Sequence, residues 1–338
     1  MIVEMQAGAR QDQVDAVVAR ARSLSCDVQL NVGTNKVVVA ILGPHTGQIN
    51  TDLFAVLPAV ASVTRIMRPF KLASREFRQD ATTVRIGDLV IGGKAVVIMA
   101  GPCSIESHEQ LLATAKHVRA CGATILRGGA FKPRTSPFSF QGLGVDGIEV
   151  ASQVREELGI PIVSEITEPH HLEDVADRVD LLQIGARNMQ NYALLRAVGE
   201  SKRPCILKRG LASTVTEWLQ AADYILSAGN PNVILCERGI RTYETSTRFT
   251  LDISSVAVVK RDTHLPVIVD PSHAAGHFQL VPTLARAAVA AGADGLLIEV
   301  HPDPINALSD GLQSLTFSDF ASLMQELKAI AGAIGREI

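Results

Sequence analysis

What the 338-residue sequence lacks narrows the field first. It has no strong excess of either charge: 32 Lys and Arg against 35 Asp and Glu leave a net −3. No overall field therefore favours a nucleic acid or an anionic membrane, and any cationic site must be local. Five cysteines, odd in number and scattered, make no disulfide framework and suit a reducing compartment. The opening MIVEMQAGARQDQ has no basic segment followed by a long apolar one, so no secretory signal is read. The longest apolar runs, such as AVVIMA, are strand-sized and fall well short of the ~20 residues of a membrane helix. The expectation is a cytoplasmic protein with no nucleic-acid or membrane partner.

What is there reads as two parts. In the first, IVEM is a short strand, and Val14, Val17, Val18, Ala21 and Leu24 recur at helical spacing. DVQLNV and KVVVAIL flank a turn at Gly33-Thr34-Asn35; INTDLFAVLPAV is a weak helix and SVTRIM a last strand. This is the βαββαβ order of a ferredoxin-like domain, expected over residues 1–67. Residues 68–93 read as a charged linker followed by a hairpin, TTVRIGDLVIGG. From Lys94 eight short apolar runs alternate with amphipathic stretches: AVVIMAGP, ATILRGG, PIVSEI, LLQIGA, PCILKRG, NVILCERG, PVIVDPS and GLLIEV. Such alternation indicates a parallel sheet covered on both faces. Eight units predict a closed (β/α)8 TIM barrel over 94–338, near the typical size of about 250 residues. The alternative is an open doubly wound sheet.

Each apolar run ends in a polar or reactive residue. In order these are Cys103, Arg127, Glu165, Arg187, Lys208, Glu237 with Arg238, Asp270 with His273, and Glu299. One charge after a strand is ordinarily a solvated edge. A barrel, however, gathers its strand ends at one mouth, where unpaired charges would desolvate one another at a cost that a shared ligand removes. Arg127, Lys132, Arg134, Arg187, Lys208 and Arg238 form a cationic set suited to phosphates and a carboxylate. Cys103, His273, Glu299 and Asp310 form a mixed soft and hard set able to hold a divalent transition metal. Cys103 as a small buried hydrophobe is the competing reading, and sequence alone does not make the four converge. GLGVDG matches a dinucleotide-binding pattern but follows no clean strand, so that reading fails its context. HAAGH lacks the glutamate of a zinc-protease helix, which leaves His277 a packing or supporting role.

AGPCSIES, LRGGAFKPRTSPFSFQG, IGARNMQN, LKRG, CERGIRTYE, DPSHAAG and IEVHPDP, in this order, resemble 3-deoxy-D-arabino-heptulosonate 7-phosphate (DAHP) synthase. The resemblance is to the short type I subfamily with an N-terminal ferredoxin-like regulatory domain. It implies condensation of phosphoenolpyruvate with erythrose 4-phosphate, the first step of the shikimate pathway. It further implies a divalent metal (Mn2+ foremost, with Fe2+, Co2+ or Zn2+ as other candidates) on Cys103, His273, Glu299 and Asp310. Arg127, Arg187, Lys208 and Arg238 would clamp phosphoenolpyruvate. Lys132 would reach toward both substrates, and Arg134 and Thr135, with Ser136 a weaker candidate, would hold the erythrose phosphate. Glu165, with Lys208, would handle the attacking water. A homotetramer and feedback by tyrosine or phenylalanine are also implied. The rival within the same chemistry is 3-deoxy-D-manno-octulosonate 8-phosphate synthase, whose second-strand loop carries an Asn-bearing motif in place of Lys-Pro-Arg-Thr and which usually lacks the N-terminal domain. A rival from another class is a non-catalytic phosphate-binding regulator.

Overall fold

Strand β1 (Ile2–Met5) and helix α1 (Gln11–Ser23) begin an alternation that continues through β2 (Asp27–Val32), β3 (Val37–Leu42), α2 (Asp52–Ala55) and β4 (Val60–Thr64). The computed structural model describes residues 1–33, 36–65, 68–132, 136 and 138–338. Thr34 and Asn35 of the expected turn, and Met67 at the expected domain end, lie outside them. The four strands form an antiparallel sheet in the order β2-β3-β1-β4, the ferredoxin-like arrangement. Helix α1 buries Val14, Val17 and Ala21 against Val3, Met5, Val39, Ile41 and Phe54. Helix α2 is far shorter than the expected stretch. Pro58 disfavours helical backbone at the residue before it, and Ala59 adopts a positive φ of 60°.

A hairpin follows, β5 (Val84–Ile86) and β6 (Leu89–Ile91). Then come β7 (Val97–Gly101), α3 (His108–Cys121), β8 (Ile125–Arg127), α4 (Val145–Leu158), β9 (Ile162–Ile166), α5 (Leu172–Val175), β10 (Leu181–Ile184), α6 (Tyr192–Ser201), β11 (Cys205–Lys208), α7 (Val215–Ser227), β12 (Val233–Glu237), α8 (Ile253–Asp262), β13 (Val267–Val269), α9 (Pro271–Ala275), α10 (Val281–Ala290), β14 (Gly295–Glu299) and α11 (Phe317–Ala333). Strands β7 to β14 pair in parallel and close on themselves, so all eight expected runs are barrel strands. Every residue of β12 and of β14 is buried, as expected where helices cover the sheet.

The chain divides into two compact units, Met1–Asp80 and Ala81–Ile338. The expected linker is thereby split: 68–80 go with the first unit, and the hairpin goes with the barrel. Val84, Ile86 and Ile91 of the hairpin share one apolar cluster with Val97, Met99, Ile125, Val163, Leu181, Ile206, Ile268 and Leu297 of the strands. The hairpin thus floors the barrel at the end away from the charged strand termini. Around the wall, Ser107 caps α3 by accepting from the Gln110 N–H at 3.1 Å, and Thr214 with Glu217 forms a capping box on α7. The single tryptophan, Trp218 on α7, is fully buried, and its indole N–H donates to the Leu207 carbonyl at 3.0 Å. No helix among the described residues is long and apolar enough to cross a membrane.

Candidate active site

Strand β14 ends on Glu299, and β7 ends two residues before Cys103. The loop after β14 carries Asp310, and the short α9 carries His273. Cys103 Sγ and one carboxylate oxygen each of Glu299 and Asp310 lie within 4.8 Å of one another. Sγ is 3.3 Å from Asp310 Oδ2 and 3.1 Å from Ser309 Oγ. His273 Nε2 is 3.5 Å from Glu299 Oε1, while its Nδ1 is 2.7 Å from Asp270 Oδ2, an arrangement that fixes the ring with Nε2 toward the cluster. Asp310 sits at φ 52°, ψ 35°, left-handed backbone that a non-glycine residue adopts only when its surroundings impose it.

The electrostatics suit a cation. Burial, then the neighbouring Glu299, pushes the Cys103 thiol up to about 11. Burial would raise the Asp310 carboxyl, but His273 and Arg248 outweigh it and hold it down to about 2. Burial keeps His273 below its ordinary value despite Asp270 and Glu299. A soft sulfur, an imidazole and two carboxylates fit a divalent transition metal, whose charge would deprotonate the thiol.

Beside this cluster a pocket is lined by Glu165, Gln183, Arg187, Lys208, Arg238, Arg248, Phe249 and His273. Lys208 Nζ donates to Asp270 Oδ2 at 2.6 Å, so Asp270 links the pocket to His273. Arg238 lies with its guanidinium carbon 4.4 Å from the Phe249 ring centroid. Its Nε and Nη1 are buried and find no acceptor among the described residues. Buried donors without acceptors are costly alone and suit an anionic ligand. Gln183 Nε2 donates to Glu165 Oε2 at 3.3 Å. A Cβ at Gly185 would stand 2.0 Å from Glu165 Oε1, so a larger residue there would displace the Glu165 carboxylate.

Arg127 and Lys132 fall on the metal-cluster side. Arg127 Nη1 donates to Glu299 Oε1 and to the Pro102 carbonyl, each at 2.8 Å, and Lys132 Nζ donates to the Cys103 carbonyl at 2.8 Å. Arg187 is exposed on the turn after β10. Arg134 and Thr135 lie outside the described residues. Ser136 is exposed, and its Oγ accepts from the Phe138 N–H, which brings it into neither cluster. Glu237, a strand-end acid like the others, is not in the mouth. It binds Arg209 at 2.9 Å and the Gly239 N–H at 2.7 Å, on the outer side of the wall. Strand alternation explains it: Lys208 faces in while its neighbour Arg209 faces out to Glu237 and Asp252. His277 caps the turn after α9.

Sequence reasoning missed Arg248 and Gln313, and gave Gln183 and Asp270 no role. Gln183 had a signal, since it stands one pleat below the end of an apolar strand. Arg248 and Gln313 had none, because both lie in long loops.

Fold and mouth together define a (β/α)8-barrel enzyme with an anion pocket beside a metal-type donor cluster. The chain belongs to the DAHP synthetase I family, whose model matches residues 76–333, and the DAHP synthase ferredoxin-like domain matches residues 1–68. It is 45% identical over 338 residues, the whole of both chains, to the phospho-2-dehydro-3-deoxyheptonate aldolase of Thermotoga maritima. A crystal structure of that aldolase, described as DAHP synthase, superposes with a TM-score of 0.79 over 99% of this chain and 98% of the other. The 2-dehydro-3-deoxyphosphooctonate aldolase of Syntrophotalea carbinolica is 34% identical over 73% of this chain and 95% of its own.

Proposed function

We propose that this chain condenses phosphoenolpyruvate with D-erythrose 4-phosphate and water to give 3-deoxy-D-arabino-heptulosonate 7-phosphate and phosphate, the first step of aromatic amino acid biosynthesis. The observation that carries the proposal is the pairing, in one mouth, of a pocket of Arg187, Lys208 and Arg238 with the cluster of Cys103, Glu299 and Asp310. The unpartnered Arg238 nitrogens suit the phosphate or carboxylate of phosphoenolpyruvate. Arg127, Arg187 and Lys208 complete the clamp, whose contribution is orientation of the enol phosphate. Lys132, held beside the metal cluster by the Cys103 carbonyl, is assigned a reach toward both substrates. Arg134, Thr135 and Ser136 are assigned to the erythrose phosphate.

A divalent ion held by Cys103, His273, Glu299 and Asp310 would supply Lewis acidity toward the aldehyde oxygen. C3 of phosphoenolpyruvate bonds to the aldehyde carbon, and the aldehyde oxygen gains a proton. Water adds at the electron-poor C2, oriented or deprotonated by Glu165 with Lys208 nearby. The C2–O bond to phosphate then breaks and leaves the ketone. Asp270 holds Lys208 and His273 in place throughout. Mn2+ as the ion, a homotetramer, and a regulatory role for the N-terminal unit with tyrosine or phenylalanine as effector belong to the same proposal. The ferredoxin-like match at residues 1–68 supports the last of these.

The test is loss of phosphoenolpyruvate with erythrose 4-phosphate or arabinose 5-phosphate as acceptor. Turnover with the tetrose phosphate is expected. Preference for the pentose phosphate would make the chain a phosphooctonate synthase, and binding of phosphoenolpyruvate without turnover of either acceptor would make it a binding protein.

A further inference from the structure

Arg248 comes from the loop between β12 and α8, and it touches both halves of the mouth. Its side chain lines the anion pocket with Arg187, Lys208 and Arg238. Yet its Nη1 is turned the other way, 3.3 Å from Asp310 Oδ1 and 2.8 Å from Gln313 Oε1. Gln313, buried, passes the contact on by donating from Nε2 to Glu299 Oε2. The guanidinium therefore spans the two carboxylates of the donor cluster, one directly and one through a carboxamide. At 36% exposure the side chain is far more accessible than the buried Arg127, Lys208 and Arg238.

We infer that Arg248 is an exchangeable cation shared by the two halves of the site: it neutralises Asp310 when no metal is bound, and it turns to the anion pocket when a divalent ion takes its place. The inference rests on the metal reading proposed above. Its physical basis is competition. A divalent ion on Asp310 repels a guanidinium at 3.3 Å, and three cations in the pocket cannot hold a fourth until an anion enters. Metal loading and anion binding are then linked, and the linkage must be reciprocal.

The prediction has an unusual sign. Loss of a residue that merely shapes the cluster would weaken metal and anion alike. Arg248→Met should instead tighten Mn2+ while weakening phosphoenolpyruvate. Calorimetric titration of Mn2+ into chelator-stripped full-length protein should give an affinity about fivefold or more above wild type for Arg248→Met, with Arg248→Lys near wild type. Titration of phosphoenolpyruvate with and without Mn2+ should show a gain on metal loading in wild type that shrinks in Arg248→Met. Equal or weaker Mn2+ binding by Arg248→Met would overturn the inference, as would an undiminished gain. Wild type that binds no Mn2+ would defeat the metal reading itself, and this inference with it.

Discussion

The two ends of the barrel are built on the same inward-facing positions, one pleat apart, and they are chemical opposites. Ile125 is followed two residues later by Arg127, Val163 by Glu165, Leu181 by Gln183, Ile206 by Lys208 and Leu297 by Glu299. Two residues along a strand return to the same face about 7 Å further on. The lower layer joins the hairpin in a dry apolar floor. The upper layer is polar and largely buried: Lys208 and Glu299 are nearly as inaccessible as Ile206 and Leu297 beneath them. Burying an apolar side chain stabilises by roughly 1.5–3 kcal/mol, whereas each buried ion costs several before its partners repay it. Stability and function are thus separated along the barrel axis rather than between parts of the sequence.

If that separation is real, substitutions at the two ends should fail in different ways. The largest effect belongs to the mouth. Cys103→Ala or Asp310→Ala should abolish Mn2+ binding and lower turnover by on the order of a thousandfold, and Cys103→Ala should leave the thermal stability of the metal-free protein little changed. Full activity in a preparation shown metal-free by elemental analysis would break the comparison. Next comes the floor. Ile91→Ala should cost about 2–5 kcal/mol by urea unfolding and leave kcat/KM at its wild-type value. A matching loss of activity would mean that floor and mouth are mechanically one.

Within the mouth the effects should divide by substrate. Arg187→Ala should raise KM for phosphoenolpyruvate roughly tenfold to a hundredfold and that for erythrose 4-phosphate much less, and Arg134→Ala should do the reverse. Equal weakening of one substrate by both variants would refute the assignment of two phosphate sites. The smallest effect is acid lability of the metal-free mouth. The Asp310 carboxyl is held at about 2, below its usual 3.8, so its stabilisation is complete above that usual value and lost as pH falls toward 2. The stability gap between wild type and Asp310→Asn should therefore narrow on acidification from about pH 5 to about pH 3. A gap that widens would place the carboxyl's partners elsewhere.

Much of this was legible in the sequence, because barrel strands announce both their length and their ends. Arg127, Lys208 and Glu299 were found as the polar stops of apolar runs, and each is a terminal strand residue. The same rule mistook Glu237 for a mouth residue, since it does not see which way the last side chain faces. Lys208 and Arg209 are adjacent and identical in charge, yet they serve opposite sides of the wall. Arg248 and Gln313 were invisible for another reason. Their loops return to the mouth through contacts 62 and 65 residues apart in sequence, which no local pattern encodes. The hairpin was found as an element, but its place as the barrel floor follows only from the packing of Ile91 and its neighbours.

The hydrogen bond from Trp218 to the Leu207 carbonyl carries one more consequence, an optical one. The only indole in the chain is anchored to the backbone one residue before Lys208, and the N-terminal unit contains none. Tryptophan emission is therefore a label-free reporter of the barrel alone. Trp218 lies in the unit Ala81–Ile338, so loss of its buried environment reports the unfolding of that unit. Comparison of its unfolding curve with far-ultraviolet circular dichroism, which sees both units, resolves whether they melt together or one after the other.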